Sequence, residues 1–158
     1  MDKKFSITVN GLEETNIIAE RFAKSVKSNG AFVCLYGDIG AGKTAFSKLV
    51  AKHLGVKEKV TSPSFVIINE YLSGALPVYH FDLYRLENEG VSTIVDELSE
   101  YSKGGVLTLV EWAEFSDFEL PFDRIEIRIE YIDETTRKFD FFCSENEYYE
   151  NILKNLEG

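Results

Sequence analysis

Ala31-Phe32-Val33-Cys34-Leu35-Tyr36-Gly37-Asp38-Ile39-Gly40-Ala41-Gly42-Lys43-Thr44 is the stretch that decides the fold. Ala31 to Tyr36 is a continuous apolar run, the pattern of a strand buried on both faces. A glycine-rich turn follows, then a helix to about Leu54, where Gly55 can supply a left-handed cap. Gly37 to Thr44 fits G-x-x-x-x-G-K-[ST] at every position and stands between strand and helix, as a phosphate-binding loop requires. The glycines let the backbone turn tightly and aim successive N–H groups at phosphate oxygens. The helix that follows adds its positive end. Lys43 would place an ammonium near the β- and γ-phosphates, and Thr44 a hydroxyl on the Mg²⁺ that bridges them. Binding of a nucleoside triphosphate is the expectation.

Outward from the loop, strands and helices interleave. Phe5 to Val9 alternates like a strand. Asn10 followed by Glu13 resembles a helix N-terminal cap, and Leu12 to Lys27 carries Ile17, Ile18, Phe22 and Val26 at helical spacing until Gly30 stops it. Phe65 to Leu72 and Val78 to Leu83 read as strands joined by a turn over Ser73 to Pro77. A helical or irregular patch spans Leu86 to Tyr101, and Val106 to Trp112 is a second buried-type strand. Ile125, Ile127, Ile129 and Tyr131 alternate with charged residues, predicting a half-exposed antiparallel strand that pairs with Arg137 to Cys143. The tail from Glu145 to Leu156 sets Tyr149, Ile152, Leu153 and Leu156 on one helical face, expected to pack on the sheet. The class is α/β: a P-loop NTPase-like, mainly parallel sheet flanked by helices, with antiparallel edge strands.

Composition bounds this reading. The 158 residues are 44% hydrophobic and 13% aromatic, enough for one sizeable core, and no linker or repeat divides them, so residues 1–158 are read as a single domain. Lys and Arg number 17 against 27 Asp and Glu, a net charge of -10, which makes the chain a poor unaided binder of a phosphate backbone. Cys34 and Cys143 lack CxxC spacing and read as small buried hydrophobes. No apolar run is long enough for a signal peptide or a membrane span, so a cytoplasmic location is expected.

A Mg²⁺-phosphate site also needs acidic groups at the ends of neighbouring strands. Asp82 ends Val78 to Asp82, and Glu111 ends Val106 to Glu111. One can hold Mg²⁺ while the other orients or deprotonates an attacking water; the spelling leaves open which does which. His80 can polarise a group near the phosphates, although a lone strand histidine is more often a satisfied structural residue. Arg85 reads equally as a γ-phosphate contact or a surface ion pair. Thr61-Ser62-Pro63-Ser64-Phe65 reads equally as a switch segment or a strand-entry loop. Trp112, the only tryptophan, has core packing as its default role and adjoins Glu111.

Taken in order and spacing, Gly37 to Thr44, then Ser62-Pro63-Ser64-Phe65, then His80-Phe81-Asp82-Leu83-Tyr84-Arg85, then Glu111-Trp112 resemble the TsaE family, formerly YjeE, from about Thr15 to Arg137. Ile39 stands where that family often has Leu, and Ser64 where it often has Thr; neither departure removes a functional group. The resemblance implies a bacterial P-loop ATPase needed to make N6-threonylcarbamoyladenosine on adenosine 37 of tRNA. It also implies TsaD and TsaB as protein partners, with tRNA held elsewhere in the complex, and slow ATP hydrolysis. By position it implies catalytic roles for Lys43, Asp82 and Glu111, and Mg²⁺ held by Thr44 and Glu111. The ATP site would comprise Gly37, Asp38, Ile39, Gly40, Ala41, Gly42, Lys43 and Thr44, with Thr15 and Arg137 flanking the adenine.

Two other readings compete. A small-metabolite kinase uses a similar loop, but needs an arginine-bearing lid, and the five arginines here do not cluster. A nucleotide-gated interaction module would signal without hydrolysis. A GTPase is disfavoured because no Asn-Lys-x-Asp element occurs.

Overall fold

A computed structural model of the protein describes residues 1–38, 40–60, 68–83, 100–112 and 120–158. Ile39, the Thr61 to Phe65 turn, Arg85 and most of the Leu86 to Tyr101 patch lie outside the described residues. The elements run β1 (Lys3–Asn10), α1 (Gly11–Val26), β2 (Gly30–Tyr36), α2 (Lys43–His53), β3 (Ile68–Tyr71), β4 (Val78–Asp82), β5 (Val106–Glu111), β6 (Ile125–Tyr131), β7 (Thr136–Cys143) and α3 (Glu147–Lys154), closed by a 3₁₀ turn over Asn155–Glu157. Among the described residues no helix is long and apolar enough to cross a membrane.

The strands form one seven-stranded sheet in the order β1-β7-β6-β2-β5-β4-β3. The four central strands are parallel: β2 pairs with β5 and β6, and β4 pairs with β5. β7 turns back antiparallel on β6, β1 pairs antiparallel with β7, and β3 pairs antiparallel with β4. The expected sheet, parallel at its centre and antiparallel at its edges, is therefore present. The expectation for β6 needs correction on one side. It is antiparallel to β7 as predicted, but it adds in parallel to β2, which buries Glu126 along with Ile125, Ile127 and Ile129. A strand that receives one neighbour of each kind carries the same alternating pattern as a purely antiparallel one, so periodicity could not separate them.

Every residue of β2 is buried. Its Ala31, Val33 and Leu35 face the layer built by α1, α2 and α3, whereas Phe32, Cys34 and Tyr36 face Phe81, Leu83, Val110 and Leu120. On the helix side Phe46 of α2 touches three other rings, with centroids at 5.8 Å from Phe22, 5.4 Å from Phe139 and 6.5 Å from Phe141. Full burial of one such side chain contributes about 1.5–3 kcal/mol, so this cluster fixes α2 on the sheet. Cys34 and Cys143 are buried free thiols.

Of the two helix ends that the residues marked, one has the expected cap and the other does not. Gly55 takes φ +82° after α2, and Val56 N–H reaches back to Ala51 C=O, the left-handed cap expected there. Asn10, in contrast, gives α1 no side-chain cap; it is the last residue of β1, and its backbone N–H donates to Glu14 rather than meeting Glu13.

The tail is held by hydrogen bonds as well as apolar contact. Asn146 caps α3 by accepting from Tyr149 N–H at 3.1 Å, and Tyr149, Ile152, Leu153 and Leu156 are all buried. β6 begins to pair with β2 only at Val33. Before that point the Phe32 N–H donates to the Tyr149 hydroxyl at 3.1 Å, and the Tyr148 hydroxyl donates to Gly30 C=O at 2.7 Å. Two tyrosines of the tail thus take over a sheet edge that β6 leaves open. Tyr149→Phe, which strands the buried Phe32 N–H, is expected to cost about 1–3 kcal/mol in a denaturant melt; a loss below about 0.5 kcal/mol, the scale of an ordinary surface change, would contradict this role.

Candidate nucleotide-binding site

Strand register assembles the site. Leu35 at the end of β2 lies level with Glu111, and Glu111 lies level with Asp82. Side chains in register share a face of the sheet, and residues two apart on one strand share it too. Glu111, Asp82 and His80 therefore project on the face that carries α2, at the strand ends from which the Gly37–Thr44 loop departs. All three are buried: Asp82 is 4% exposed, Glu111 2% and His80 0%.

The loop needs glycine at its two ends. Gly37 has φ +150°, and a Cβ there would stand 2.6 Å from the Ile129 carbonyl oxygen of β6. Gly42 has φ +116° and precedes the first residue of α2. Between them, Ala41 N–H closes a turn on Asp38 C=O at 3.0 Å. The start of α2 is buried at Lys43, whose ammonium donates to Gly37 C=O and sits 3.4 Å from the centroid of the Trp112 ring. Trp112 has φ +60°, the one non-glycine residue with positive φ among those described. For so bulky a residue that conformation is strained, and it carries the ring under the lysine. Trp112 packs, partly buried, against the core cluster around Phe32, the default role expected of it, and also makes a cation–π contact with the loop lysine. A phosphate arriving at the loop offers that ammonium a full negative charge in place of a carbonyl dipole.

Thr44 follows on the same helix turn. Its hydroxyl donates to Glu111, with Oε1 at 3.0 Å and Oε2 at 3.2 Å. His80 Nε2 meets Glu111 Oε2 from the other side. The sequence left open which carboxylate serves which purpose. The structure joins Glu111 to Thr44 and places Asp82 beside it on the next strand. A hydroxyl and a carboxylate side by side are hard oxygen donors of the kind Mg²⁺ takes when phosphates complete its shell. Among the described residues no group of three or more His, Cys, Asp and Glu side chains gathers into a metal cage.

A pocket of about 310 Å³ opens beside the loop, between the start of α1, the start of α2 and the β6–β7 turn. It is large enough for a small-ligand site and mostly apolar. Thr15, Ala41, Gly42 and Arg137 line it, so the structure brings the two residues expected to flank a base next to the loop. Thr15 is buried, its hydroxyl donating to Gly11 C=O at 3.1 Å. Arg137 donates from Nε to Ala41 C=O at 3.0 Å and from a terminal nitrogen to Gly40 C=O at 3.4 Å, and its guanidinium lies 4.4 Å from the centroid of the Tyr131 ring. Arg137 thus also ties β7 to the phosphate loop.

Sequence reasoning missed Leu12 and Phe139 as pocket walls. Leu12 is 66% exposed at the helix start, so its apolar character was the one available signal. Phe139 looks like any core strand residue. Of the residues expected at the site, Asp38, Gly40, Ala41, Gly42, Lys43, Thr44, Asp82, Glu111, Thr15 and Arg137 cluster here with Gly37; Ile39, as noted, is outside the described residues.

Arg137→Lys cannot span the Ala41 and Gly40 carbonyls as a planar fork does. It is expected to weaken ADP binding about tenfold, the size of one charged hydrogen bond, measured by titration calorimetry. Unchanged affinity would show that the clamp does not support the loop.

Comparison with known proteins bears on this geometry. The family model described as "Threonylcarbamoyl adenosine biosynthesis protein TsaE" matches residues 9–139. The tRNA threonylcarbamoyladenosine biosynthesis protein TsaE of Bacillus subtilis is 43% identical over 141 residues, covering 89% of this chain and 86% of its own length. The protein of the same name from Rickettsia felis is 34% identical over 142 residues, covering 89% of this chain and 81% of its own. The crystal structure of Bacillus subtilis YdiB superposes with a TM-score of 0.79 at 34% identity, covering 99% of this chain and 97% of that one. With the strand–loop–helix, the paired carboxylates and the sheet order already in place, these matches assign the chain to the TsaE family of P-loop proteins.

Proposed function

We propose that the protein is the ATP-binding and hydrolysing subunit required for threonylcarbamoyladenosine modification of tRNA at adenosine 37, acting on the TsaB–TsaD complex. Membership of the TsaE family supports the tRNA-modification role. The observation that carries the ATPase reading is the hydrogen bond from Thr44, at the end of the phosphate loop, to the strand-end carboxylate Glu111.

In this reading Gly37 to Thr44 wraps the phosphates, and Thr15 and Arg137 flank the adenine in the 310 Å³ pocket. Lys43 leaves Gly37 C=O for the β- and γ-phosphates. Thr44 and Glu111 would hold Mg²⁺, which would offset the charge of the phosphates. Charge supports the need for a cation. Asp82 and Glu111 are buried carboxylates at the strand ends beside the loop, so a cation arriving with the polyphosphate would offset part of the like charge gathered there. Asp82, level with Glu111 on the next strand, orients or deprotonates the attacking water. Proton transfer to a carboxylate held at a strand end lowers the barrier only when the water lies in line with the γ-phosphate, and the partner proteins would complete that geometry. A low intrinsic rate, stimulated by partners, follows. The charge of -10 leaves tRNA to be gripped by the rest of the complex.

Phosphate release from Mg²⁺-ATP, by the protein alone and with the TsaB–TsaD pair added, tests the assignment. A slow basal rate that rises on adding the pair is expected. No rise would contradict it and revive an enzyme that awaits a metabolite acceptor. Lys43→Ala is expected to abolish nucleotide binding. Asp82→Ala is expected to keep binding while turnover falls about 100-fold, the usual loss of a positioned acid–base group; full turnover in that variant would remove Asp82 from the mechanism.

A further inference from the structure

We propose that His80 is the positioning residue of the Mg²⁺ site, holding the Glu111 carboxylate in the orientation that Thr44 requires. The inference rests on the reading that Thr44 and Glu111 hold Mg²⁺, and it goes beyond that reading by assigning His80.

Three observations carry it. First, His80 stands level with Leu109 on β5, two residues before Glu111, so it reaches the glutamate diagonally across the parallel pair and from the same face. Second, an ionised carboxylate only accepts hydrogen bonds, so the contact of His80 Nε2 with Glu111 Oε2 requires the proton on Nε2. Glu111 is then held from two sides, by the Thr44 hydroxyl and by the imidazole N–H, and its side-chain torsions are fixed. Third, His80 is fully buried and its Nδ1 has no hydrogen-bond partner among the described residues. A leucine would fill the place without leaving a buried polar atom unsatisfied. The chain keeps the more costly residue, and the bond to Glu111 is what it obtains in return. Histidine and carboxylate groups that orient metal ligands in this way affect metal affinity strongly, by about 10- to 100-fold when removed.

ADP affinity measured with Mg²⁺ and again in excess EDTA gives the factor by which the metal strengthens binding. In His80→Leu that factor is expected to fall at least about tenfold, while affinity in EDTA stays at the wild-type value. His80→Gln, which returns an N–H donor near the Nε2 position, is expected to recover most of the loss. Glu111→Gln serves as the reference for a damaged metal site. If Glu111→Gln loses the Mg²⁺ factor and His80→Leu keeps it, the Mg²⁺ reading stands and the role of His80 is overturned. If His80→Gln recovers nothing, the donor is not what matters and the proposal also fails. A wild-type protein whose ADP binding ignores Mg²⁺ would remove the metal reading itself. Nitrogen-15 NMR of the wild-type imidazole gives a test independent of variant folding: a protonated Nε2 is expected, and an unprotonated Nε2 would contradict the proposal.

Discussion

The parallel pairing of β2 with β5, in the register that sets Leu35 level with Glu111, is the constraint on which the site depends. It brings the end of one buried strand beside the beginning of the loop that leaves the other. β4 extends the same register and sets Asp82 level with Glu111. A slip of one residue would turn Glu111, or Asp82 and His80 together, to the opposite face, away from Thr44. The alternation that prevents this slip belongs to the core. Leu107 and Leu109 pack on the helix side and Val110 on the other, so the apolar pattern of β5 holds its last residue in place.

Such an arrangement concentrates opposing charges in a dry place. Lys43, Asp82 and Glu111 are each at most 5% exposed. Buried charges are tolerated when paired and hydrogen-bonded. Lys43 rests on the Gly37 carbonyl and the Trp112 ring, while Glu111 is bonded by Thr44 and His80. The Gly37 carbonyl is a contact that the lysine can exchange for a phosphate oxygen. The strained φ of Trp112 and the unsatisfied Nδ1 of His80 lie at the same strand ends. Local departures from low-energy structure thus gather where the chemistry is expected, and the rest of the described core shows no further buried side-chain polar atom without a partner.

Much of this was legible in the residues. The unbroken apolar run of β2, the glycine-rich turn into α2 and the ends of β4 and β5 each reflect a local rule, and these elements lie where the residues placed them. Four features were not legible. The parallel addition of β6 to β2 was hidden because its alternation is compatible with either direction. The Asn10–Glu13 spacing suggested a side-chain cap, but β1 runs directly into α1 and Glu14 takes the Asn10 N–H instead. The cation–π contact of Trp112 depends on a backbone conformation that sequence statistics assign to glycine. For His80 the general preference for a structural role obscured a specific partner 31 positions away in the chain.

A co-crystal structure with Mg²⁺ and a non-hydrolysable ATP analogue tests the central claim most directly. Phosphates on the Gly37–Thr44 loop, the metal on Thr44 and Glu111, and the base in the pocket between Thr15 and Arg137 are the expected result. A base bound elsewhere, or a metal held by Asp82 without Glu111, would contradict it.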